Sequence, residues 1–344
     1  MNLSRHHRWS TIFVVCAILS LNLFACQAQQ NGDSAASATP EPTPTFTPEP
    51  LGSEGNPVIL GLVPAENAPD QAAQAATLAE KLSSAVGFSV NILVVDDYES
   101  LLAKMQAGSV HLVFLQPITY ITAHQNQLAD VALLTNHFGV YYYGAQFLAN
   151  IDSGFSSYFD PNTNSNTADA ATALGQLNGA KPCWADPTSV SGYILPAGIL
   201  AQNEITVANG ATLLSQTGII RALYIKGICD FGVTFAISGD PRTSSAVIND
   251  LPDVRERVMI LWQSDPVIPN LNLSYTPALP AEMRSVLTQT FLDLVKSDDG
   301  KALLAAAAGD YEIQDMRVVD DSVYDPLRSA VDALGLDVYQ ALGK

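Results

Sequence analysis

Short apolar runs alternate with amphipathic segments along most of the chain, beginning near Asn56. The run from Val58 to Val63 stops at Pro64 and predicts a strand. Residues 68–86 then place alanines and leucines along one side of a helix. The same pattern predicts strands at 88–95, 110–115, 142–149, 181–185, 229–237 and 258–263, with an extended segment at 271–275. It predicts further helices at 98–107, from 117 onward, and at 168–177, 190–202, 218–226, 280–296 and 299–308, followed by a helical C-terminal stretch.

Capping residues support several of these boundaries. Asp96 is placed to cap helix 98–107, and Gly108 is placed to end it. Pro117 stands at the favoured first position of the next helix. Residues 151–167 are polar and predict a loop.

Alternating strands and helices indicate an α/β protein with mainly parallel sheets that carry helices on both faces. The length of 344 residues suggests two domains. We predict that residues 56–150 form the first part of lobe 1, that 151–264 form lobe 2, and that 265–344 return to lobe 1. Ligands in open α/β sheets bind beyond the carboxyl ends of the strands, so we expect the site in the cleft between the lobes.

The N-terminal 25 residues have the pattern of an export signal. Arg5 and Arg8 precede an apolar run from Ile12 to Leu23, which is short for a bilayer span. The run ends in Leu23-Phe24-Ala25-Cys26, which resembles the bacterial lipobox, whose cysteine is lipidated. A plain secretory signal with an incidental Cys26 is the alternative. Residues 26–55 are rich in Pro, Thr and Ser and predict a tether, so we expect a lipid-anchored protein on the extracytoplasmic face of the membrane.

Charge, cysteine content and histidine spacing bear on nucleic-acid binding, disulfide formation and metal binding. The chain has 16 basic and 34 acidic residues, a net charge of −18, which argues against nucleic acid as a partner. After Cys16 leaves with the signal and Cys26 is lipidated, Cys183 and Cys229 remain in an oxidising compartment. They form either a disulfide, as we expect, or two buried free thiols. We expect no metal and no cofactor, because the mature chain's three histidines, at 111, 124 and 137, lack ligand spacing.

The strongest local motif runs from Ala185 to Tyr193, where a strand meets a turn and a helix begins at serines. The start of a helix offers free N–H groups and the positive end of the helix dipole. Ser189, Ser191 and Gly192 can therefore form an anion site without a cationic side chain. The alternative is that Ser189 only caps the helix.

An ordered series of short motifs resembles the phosphate/phosphite/phosphonate-binding proteins of ABC transporters, the PhnD-like group. The resemblance covers nearly all of the folded part. Its motifs are Gly61–Pro64, Asp97-Tyr98 with Leu101-Leu102, Gly108–Tyr120, Asp186–Tyr193, Gly227–Asp230, Asp240–Thr243 and Ile268–Asn270.

The resemblance implies a two-lobed periplasmic-binding-protein fold of type II. It also implies an oxyanion held by the helix start at residues 189–192, which we call the serine turn, by tyrosines of lobe 1 and by a histidine of lobe 2. The candidate ligand-binding residues carried over are Tyr98, Tyr120, Tyr143, Ser189, Val190, Ser191, Gly192, Tyr193 and Thr217, although each tyrosine could instead be packing.

Some positions depart from the family pattern. Val190 replaces a threonine, Gln116 a glycine and His111 an aspartate, while Thr217 stands where the histidine is expected. These departures favour a monoanion or zwitterion over a phosphonate dianion. Asp265 either faces a ligand amine or caps a turn, and Arg242 either pairs an acidic ligand or lies on the surface.

These patterns predict the solute-binding lipoprotein of an ABC-type uptake transporter. It would close around a phosphate- or phosphonate-like anion, or a related small acid, and deliver it to a permease, acting as a monomer. A ligand-sensing lipoprotein that signals to a membrane receptor is the alternative on the same fold. An enzyme is disfavoured, because the sequence has no G-x-S-x-G, P-loop, G-x-G-x-x-G or H-E-x-x-H motif.

Overall fold

The computed structural model describes residues 49–65 and 68–336. The predicted signal peptide, the lipidation site Cys26 and the tether up to residue 48 lie outside the described residues. No helix within the described ranges is both long and apolar enough to span a bilayer.

The folded part begins earlier than predicted. The Glu49 carboxylate accepts hydrogen bonds from the Ser53 hydroxyl at 2.8 Å and the Gly55 amide at 3.1 Å. The Gly52 carbonyl accepts from the Ser89 amide at 2.7 Å, and Leu51 packs against the core of lobe 1. Residues 49–55 are therefore part of the folded unit rather than of the tether.

The strands fall into two main sheets and one short hairpin. In chain order they are β1 (Val58–Leu62), β2 (Val90–Val94), β3 (Leu112–Leu115), β4 (Asp130–Asn136), β5 (Tyr142–Asn150), β6 (Phe159–Asp160), β7 (Ser165–Asn166), β8 (Pro182–Trp184), β9 (Ala211–Thr212), β10 (Phe231–Ala236), β11 (Val258–Gln263), β12 (Ile268–Pro269), β13 (Asn272–Tyr275) and β14 (Asp315–Val318).

Helices cover both faces of the two main sheets. They are α1 (Gln71–Val86), α2 (Tyr98–Gln106), α3 (Pro117–Gln125), α4 (Ala170–Leu174), α5 (Leu195–Gln202), α6 (Gln216–Ile225), α7 (Ser245–Ile248), α8 (Val254–Arg257), α9 (Ala281–Leu294), α10 (Asp298–Ala307) and α11 (Asp325–Leu334). A π-helical turn, Val190–Ile194, leads directly into α5.

The first sheet has the strand order β14-β4-β13-β3-β1-β2 and defines lobe 1. β1 pairs in parallel with β2 and β3, as predicted for a doubly wound sheet. β13 is antiparallel to both β3 and β4, and β14 is antiparallel to β4. The sheet is therefore mixed rather than mainly parallel, because the chain that returns from lobe 2 inserts its strand in the opposite direction.

The second sheet has the order β11-β5-β10-β8-β9 and defines lobe 2. It is mixed too, since β8 is parallel to β10 and β9 while β5 is antiparallel to β10 and β11. β5 thus belongs to the second sheet, although its residues were assigned to lobe 1 from the sequence. The chain passes between the lobes twice, and we call these two stretches the crossing segments. They run side by side, because β12 pairs with the start of β5 at Ile268 and Tyr143. The α/β class with two lobes is confirmed.

Apolar clusters pack on both faces of each sheet, and one of them continues across the lobes. Leu78 of α1 and Phe291 of α9 lie in the cluster that covers one face of the first sheet. The cluster on its other face includes Leu101 and Leu327, and it also contains Ile194 from lobe 2. The start of α5 and the C-terminal helix α11 therefore belong to one apolar core.

Several local predictions need correction. Asp97, not Asp96, caps α2, and its carboxylate accepts from the Ser100 amide at 2.7 Å. The strands β4 and β14 and the short helices α7 and α8 were not predicted, and the predicted loop 151–167 contains the β6–β7 hairpin. These elements are short or lie at sheet edges, where an apolar pattern is weak.

The Cys183–Cys229 disulfide is present, with a Cα–Cα distance of 5.5 Å. Cys183 lies on β8, and Cys229 precedes β10, the strand that pairs with β8. The expected bridge between neighbouring parallel strands is confirmed.

Candidate ligand-binding cleft

A cavity of about 560 Å³ opens between the two sheets. Its lobe 1 side is formed by Gln116 after β3, by His137 and Phe138 after β4, and by Tyr311 before β14, while Tyr143 and Asn270 come from the crossing segments. Its lobe 2 side is formed by Ser189, Val190, Ser191, Gln216, Phe235 and, in the loop after β10, residues 238–240 and 243–244. The cavity thus lies where parallel strands of both lobes end, as the sequence predicted.

The serine turn supplies hydrogen-bond donors to this cavity. The Ser189 hydroxyl oxygen accepts from the Gly192 amide at 3.1 Å, and the Ser191 hydroxyl oxygen accepts from Gln216 Nε2 at 3.2 Å. Because each oxygen already accepts, each hydroxyl retains its hydrogen to donate to a ligand. The amides of the first helical turn have no intrahelical acceptor and add the positive end of the helix dipole. Ser189 is therefore both a cap and a cavity residue.

Gly192 has a structural reason to be glycine. A Cβ atom there would lie 2.4 Å from the Ala185 Cβ and 2.8 Å from the Ser189 Oγ. No side chain fits between the end of β8 and the serine turn. Gly192 does not line the cavity, so its contribution is to let the turn pack closely against the strand.

Gln216 lines the cavity and was missed from the sequence. Its Oε1 accepts from the Phe235 amide at 2.6 Å, and its Nε2 donates to Ser191. The neighbouring Thr217, which was expected at the position of the family histidine, instead shares a 2.8 Å hydrogen bond with the Ser215 hydroxyl and is not a lining residue. The available signal was a polar residue at the first position of α6, one place before the expected one.

Two tyrosines with raised pKa values, Tyr143 and Tyr311, line the cavity. Burial, with a smaller contribution from Tyr311, raises the pKa of Tyr143 well above its ordinary value. Burial likewise raises the pKa of Tyr311 to about 12. Tyrosine carries its hydrogen at neutral pH even at its ordinary pKa, so the Tyr143 hydroxyl is a potential donor. The Tyr311 hydroxyl lies beside the Thr135 side chain and the Leu271 backbone, so this residue offers the cavity its ring. Tyr143 was a predicted site residue, whereas Tyr311 was not.

Tyr98 and Tyr120 do not line the cavity. Tyr120 is fully buried in lobe 1, where its hydroxyl donates to Asp321 at 2.8 Å and its ring lies 4.2 Å from that of Tyr324. Tyr98 packs against the same apolar cluster. Tyr98 and Tyr120 therefore pack in the core and do not contact the cavity, because α2 and α3 direct them into the core.

Tyr193 and Asp265 also lie outside the lining. The Tyr193 ring packs edge-on against Trp184 with centroids 5.3 Å apart. Asp265 is exposed in the second crossing segment, where its backbone carbonyl accepts from the Ser264 hydroxyl at 2.8 Å and the Val267 amide at 2.9 Å. The turn role of Asp265 therefore fits better than contact with a ligand amine.

Arg242 is neither a surface residue nor a free ligand partner. It is buried, its Nη2 lies 2.8 Å from Asp240 Oδ2, and its Nη1 donates to the Val258 carbonyl at 2.8 Å. Asp240 lines the cavity, and its charge is balanced by this arginine. Within the described lining there is no lysine or arginine, so the cavity offers hydroxyl and amide donors rather than a cation.

The site has no arrangement that suits a metal ion. Among residues 49–65 and 68–336, no three His, Cys, Asp or Glu side chains lie close enough together to hold one.

Comparisons with known proteins identify the family of the chain. Residues 60–324 match the family described as "ABC transporter, phosphonate, periplasmic substrate-binding protein". The chain is 25% identical over 356 residues to the phosphate-import protein PhnD of Mycolicibacterium smegmatis, covering 97% of this chain and 98% of that protein.

Two solved structures share the fold. XAC2383 from Xanthomonas citri, bound to ATP, has a TM-score of 0.59 and 16% identity over 83% of this chain and 97% of its own. PhnD1 from Prochlorococcus marinus, in complex with methylphosphonate, has a TM-score of 0.53 and 12% identity over 81% of this chain and 98% of its own. With the family match over most of its length, the chain belongs to the periplasmic substrate-binding proteins of phosphonate ABC transporters.

Proposed function

We propose that this substrate-binding component holds the oxyanion of a phosphonate- or phosphate-like ligand on the serine turn and delivers the ligand to a permease. The observation that carries the proposal is the pair of Ser189 and Ser191 hydroxyls, both of which accept hydrogen bonds from the protein and keep a hydrogen for the cavity. Phosphate import by the mycobacterial relative and methylphosphonate binding by the cyanobacterial one support this ligand class.

The charge of the cavity restricts the ligand further. Its donors are neutral, and the carboxylate of Asp240 is part of the wall. A monoanion or a zwitterion suits such a site better than a dianion, because no cation in the described lining offsets a second negative charge.

We propose that binding is not accompanied by a reaction. The Ser191 hydroxyl is bonded to an amide and the Ser189 hydroxyl to a backbone N–H, and neither is bonded to a histidine that could remove its proton. Ligand recovered after incubation should be chemically unchanged by mass spectrometry, and turnover would contradict this point.

Calorimetry with methylphosphonate and with inorganic phosphate tests the proposal. The wild-type protein should bind at least one of them, and Ser191→Ala should weaken that binding by about 1–3 kcal/mol. The unfolding free energy of the variant should stay close to that of the wild type. Wild-type affinity in a correctly folded Ser191→Ala protein would place the oxyanion elsewhere.

We propose that the protein is anchored by acylation of Cys26 and acts as a monomer. The sequence at the end of the apolar N-terminal run supports acylation. Cys26→Ser should release the protein from membranes and abolish incorporation of labelled palmitate. Unaltered membrane association would contradict the anchor, and light scattering of the released form checks the monomer.

A further inference from the structure

Phe138 is an unusual residue in the wall of the cleft. It is 57% exposed and has a φ of +48°. A bulky side chain rarely adopts that backbone conformation, and exposing an aromatic ring to water has its own cost. The positive φ follows from the two-residue turn between His137 and Val140, whose other central residue, Gly139, has a φ of +84°. The ring borders the cavity.

The rings of His137 and Tyr311 pack next to Phe138. The His137 ring lies 4.1 Å from that of Phe138 and 4.1 Å from that of Tyr311, centroid to centroid, and is nearly parallel to the tyrosine at 18°. His137 Nδ1 lies 2.7 Å from the Glu312 carbonyl, and because a carbonyl can only accept, Nδ1 carries the hydrogen. The hydrogen bond fixes the imidazole, so the three rings hold defined positions, with His137 stacked on Tyr311 and Phe138 tilted against His137 at 45°. These three rings are called the aromatic stack below.

The strand ends hold this stack beside the oxyanion donors. The His137 amide donates to the Val140 carbonyl at 2.8 Å, and the Val140 amide donates back at 3.1 Å, which closes the turn that carries Phe138. From lobe 2, Val190 and Phe235 add apolar surface to the same cavity. Val190 lies between the two serines, so donors and apolar surface meet within one turn.

The cavity is also larger than a small anion requires. Its volume of about 560 Å³ falls within the range of about 300–1,000 Å³ typical of sites for drug-sized ligands. Inorganic phosphate or methylphosphonate is far smaller than such a ligand and has little or no apolar surface to offer to the aromatic stack.

We propose that the ligand carries an apolar organic group, best an aromatic ring, next to its oxyanion, and that Phe138 packs against this group. The ligand class is then an aryl-substituted phosphonate, bound as its monoanion, rather than a free inorganic anion. The inference rests on the proposed function, because the serine turn is assigned the oxyanion and the aromatic stack the substituent.

The test compares phenylphosphonate with methylphosphonate by calorimetry, using the full chain with Cys26→Ser so that no acyl chain is attached. The protein with its native cleft residues should bind phenylphosphonate at least about tenfold more tightly than methylphosphonate. This ratio corresponds to a difference in binding free energy of about 1.4 kcal/mol. Phe138→Ala should abolish this preference, so that the ratio of the two affinities falls to about one. Phe138→Tyr, which keeps the ring, should retain it.

Leu214→Ala is the matched control. Leu214 also has a positive φ, +56°, and is 74% exposed, but it does not line the cavity, so the preference should persist in this variant. Equal affinities for the two phosphonates, or a preference that survives Phe138→Ala, would overturn the inference and leave the proposed function intact. If neither phosphonate bound, the inference would fail, and the proposed function would fail with it only if inorganic phosphate did not bind either.

Discussion

Gln216 holds Ser191 in an orientation suited to donation. Its Nε2 lies 3.2 Å from the Ser191 hydroxyl oxygen, while its Oε1 accepts from the Phe235 amide at 2.6 Å. The amide thereby joins the start of α6 to the serine turn and to β10. The bond has a direction, since Gln216 donates and the Ser191 hydrogen is left for the cavity.

Gln216→Glu should reverse that direction with little change in shape. A glutamate still accepts from the Phe235 amide, but its second oxygen would accept the hydrogen of Ser191 and bring a negative charge to the cavity. Methylphosphonate or phosphate, whichever the wild type binds, should bind at least about tenfold more weakly, because a donor is lost and like charges repel. Isothermal titration calorimetry measures the change.

Gln176→Glu is the control for this substitution. Gln176 also bridges two backbone segments, accepting from the Ser156 amide at 2.8 Å and donating to the Ala173 carbonyl at 2.7 Å, but it lies outside the cavity. Its replacement should leave affinity unchanged. Equal affinities in the two glutamate variants would show that Gln216 does not orient a binding hydroxyl.

Ser189 and Ser215 form a matched pair for separating capping from binding. Each caps a helix by accepting from the amide of a glycine three residues later, at 3.1 Å in both cases. Replacement of either by alanine should destabilise the protein by about 1 kcal/mol, measured by urea unfolding. Only Ser189→Ala should weaken ligand binding as well, because Ser215 does not line the cavity. Equal binding by both variants would leave Ser189 with capping alone.

The donor side of the cleft could be predicted because adjacent residues build it. Ser189, Val190 and Ser191 form one turn after a strand, so their positions follow from local sequence. Tyr143 could be predicted from the family resemblance, which placed it in lobe 1, and it does line the cavity at the first crossing segment. The α/β class likewise follows from local apolar patterns that are repeated along the chain.

The aromatic side could not be predicted in the same way. His137 and Phe138 come from one turn and Tyr311 from a segment far along the chain, and only the β4–β14 pairing brings them together. The burial of Tyr120 was equally hidden, because its partner Asp321 is distant in sequence. The antiparallel insertion of β13 depends on which sheet edge the returning chain meets, and no local pattern encodes that.

Asp321 should make stability depend on pH at acidic values. Burial acts to raise its pKa, but hydrogen bonds from Arg328 and Tyr120, with the arginine charge, outweigh burial and hold the pKa below the ordinary 3.8. A lowered native pKa stabilises the fold at pH values above the unfolded-state pKa, and this contribution is lost as the pH falls through the native pKa. Asp321→Asn should therefore destabilise the protein at pH 7, and by progressively less as the pH falls below the unfolded-state value of 3.8, measured by urea unfolding.

Asp325→Asn gives the comparison for that experiment. Asp325 also pairs with Arg328, at 2.9 Å, but it is 68% exposed, and such surface pairs contribute about 0–1 kcal/mol. Its replacement should have a small effect that varies little with pH. A pH-independent loss in Asp321→Asn would mean that packing around Tyr120, rather than the carboxylate charge, explains the destabilisation.

Gly198 should tolerate no side chain, because α5 and α11 approach each other there. A Cβ atom at Gly198 would lie 2.6 Å from the Ala330 carbonyl oxygen and 2.8 Å from its Cα, and backbone atoms cannot move aside as a flexible side chain can. Gly198→Ala should destabilise the protein by about 1–3 kcal/mol despite the higher helix propensity of alanine.

Gly175→Ala is the opposite case in the same lobe, since Gly175 has a φ of −55° and nothing lies within 4 Å of a Cβ there. It should be neutral or stabilising by up to about 1 kcal/mol. Urea unfolding of both variants compares them directly. The second readout is ligand affinity, because α5 continues directly from the serine turn. If the contact with α11 holds that turn in place, Gly198→Ala should also weaken ligand binding. Gly175→Ala should leave ligand binding unchanged. Unchanged affinity in a destabilised Gly198→Ala protein would show that the α5–α11 contact serves stability alone.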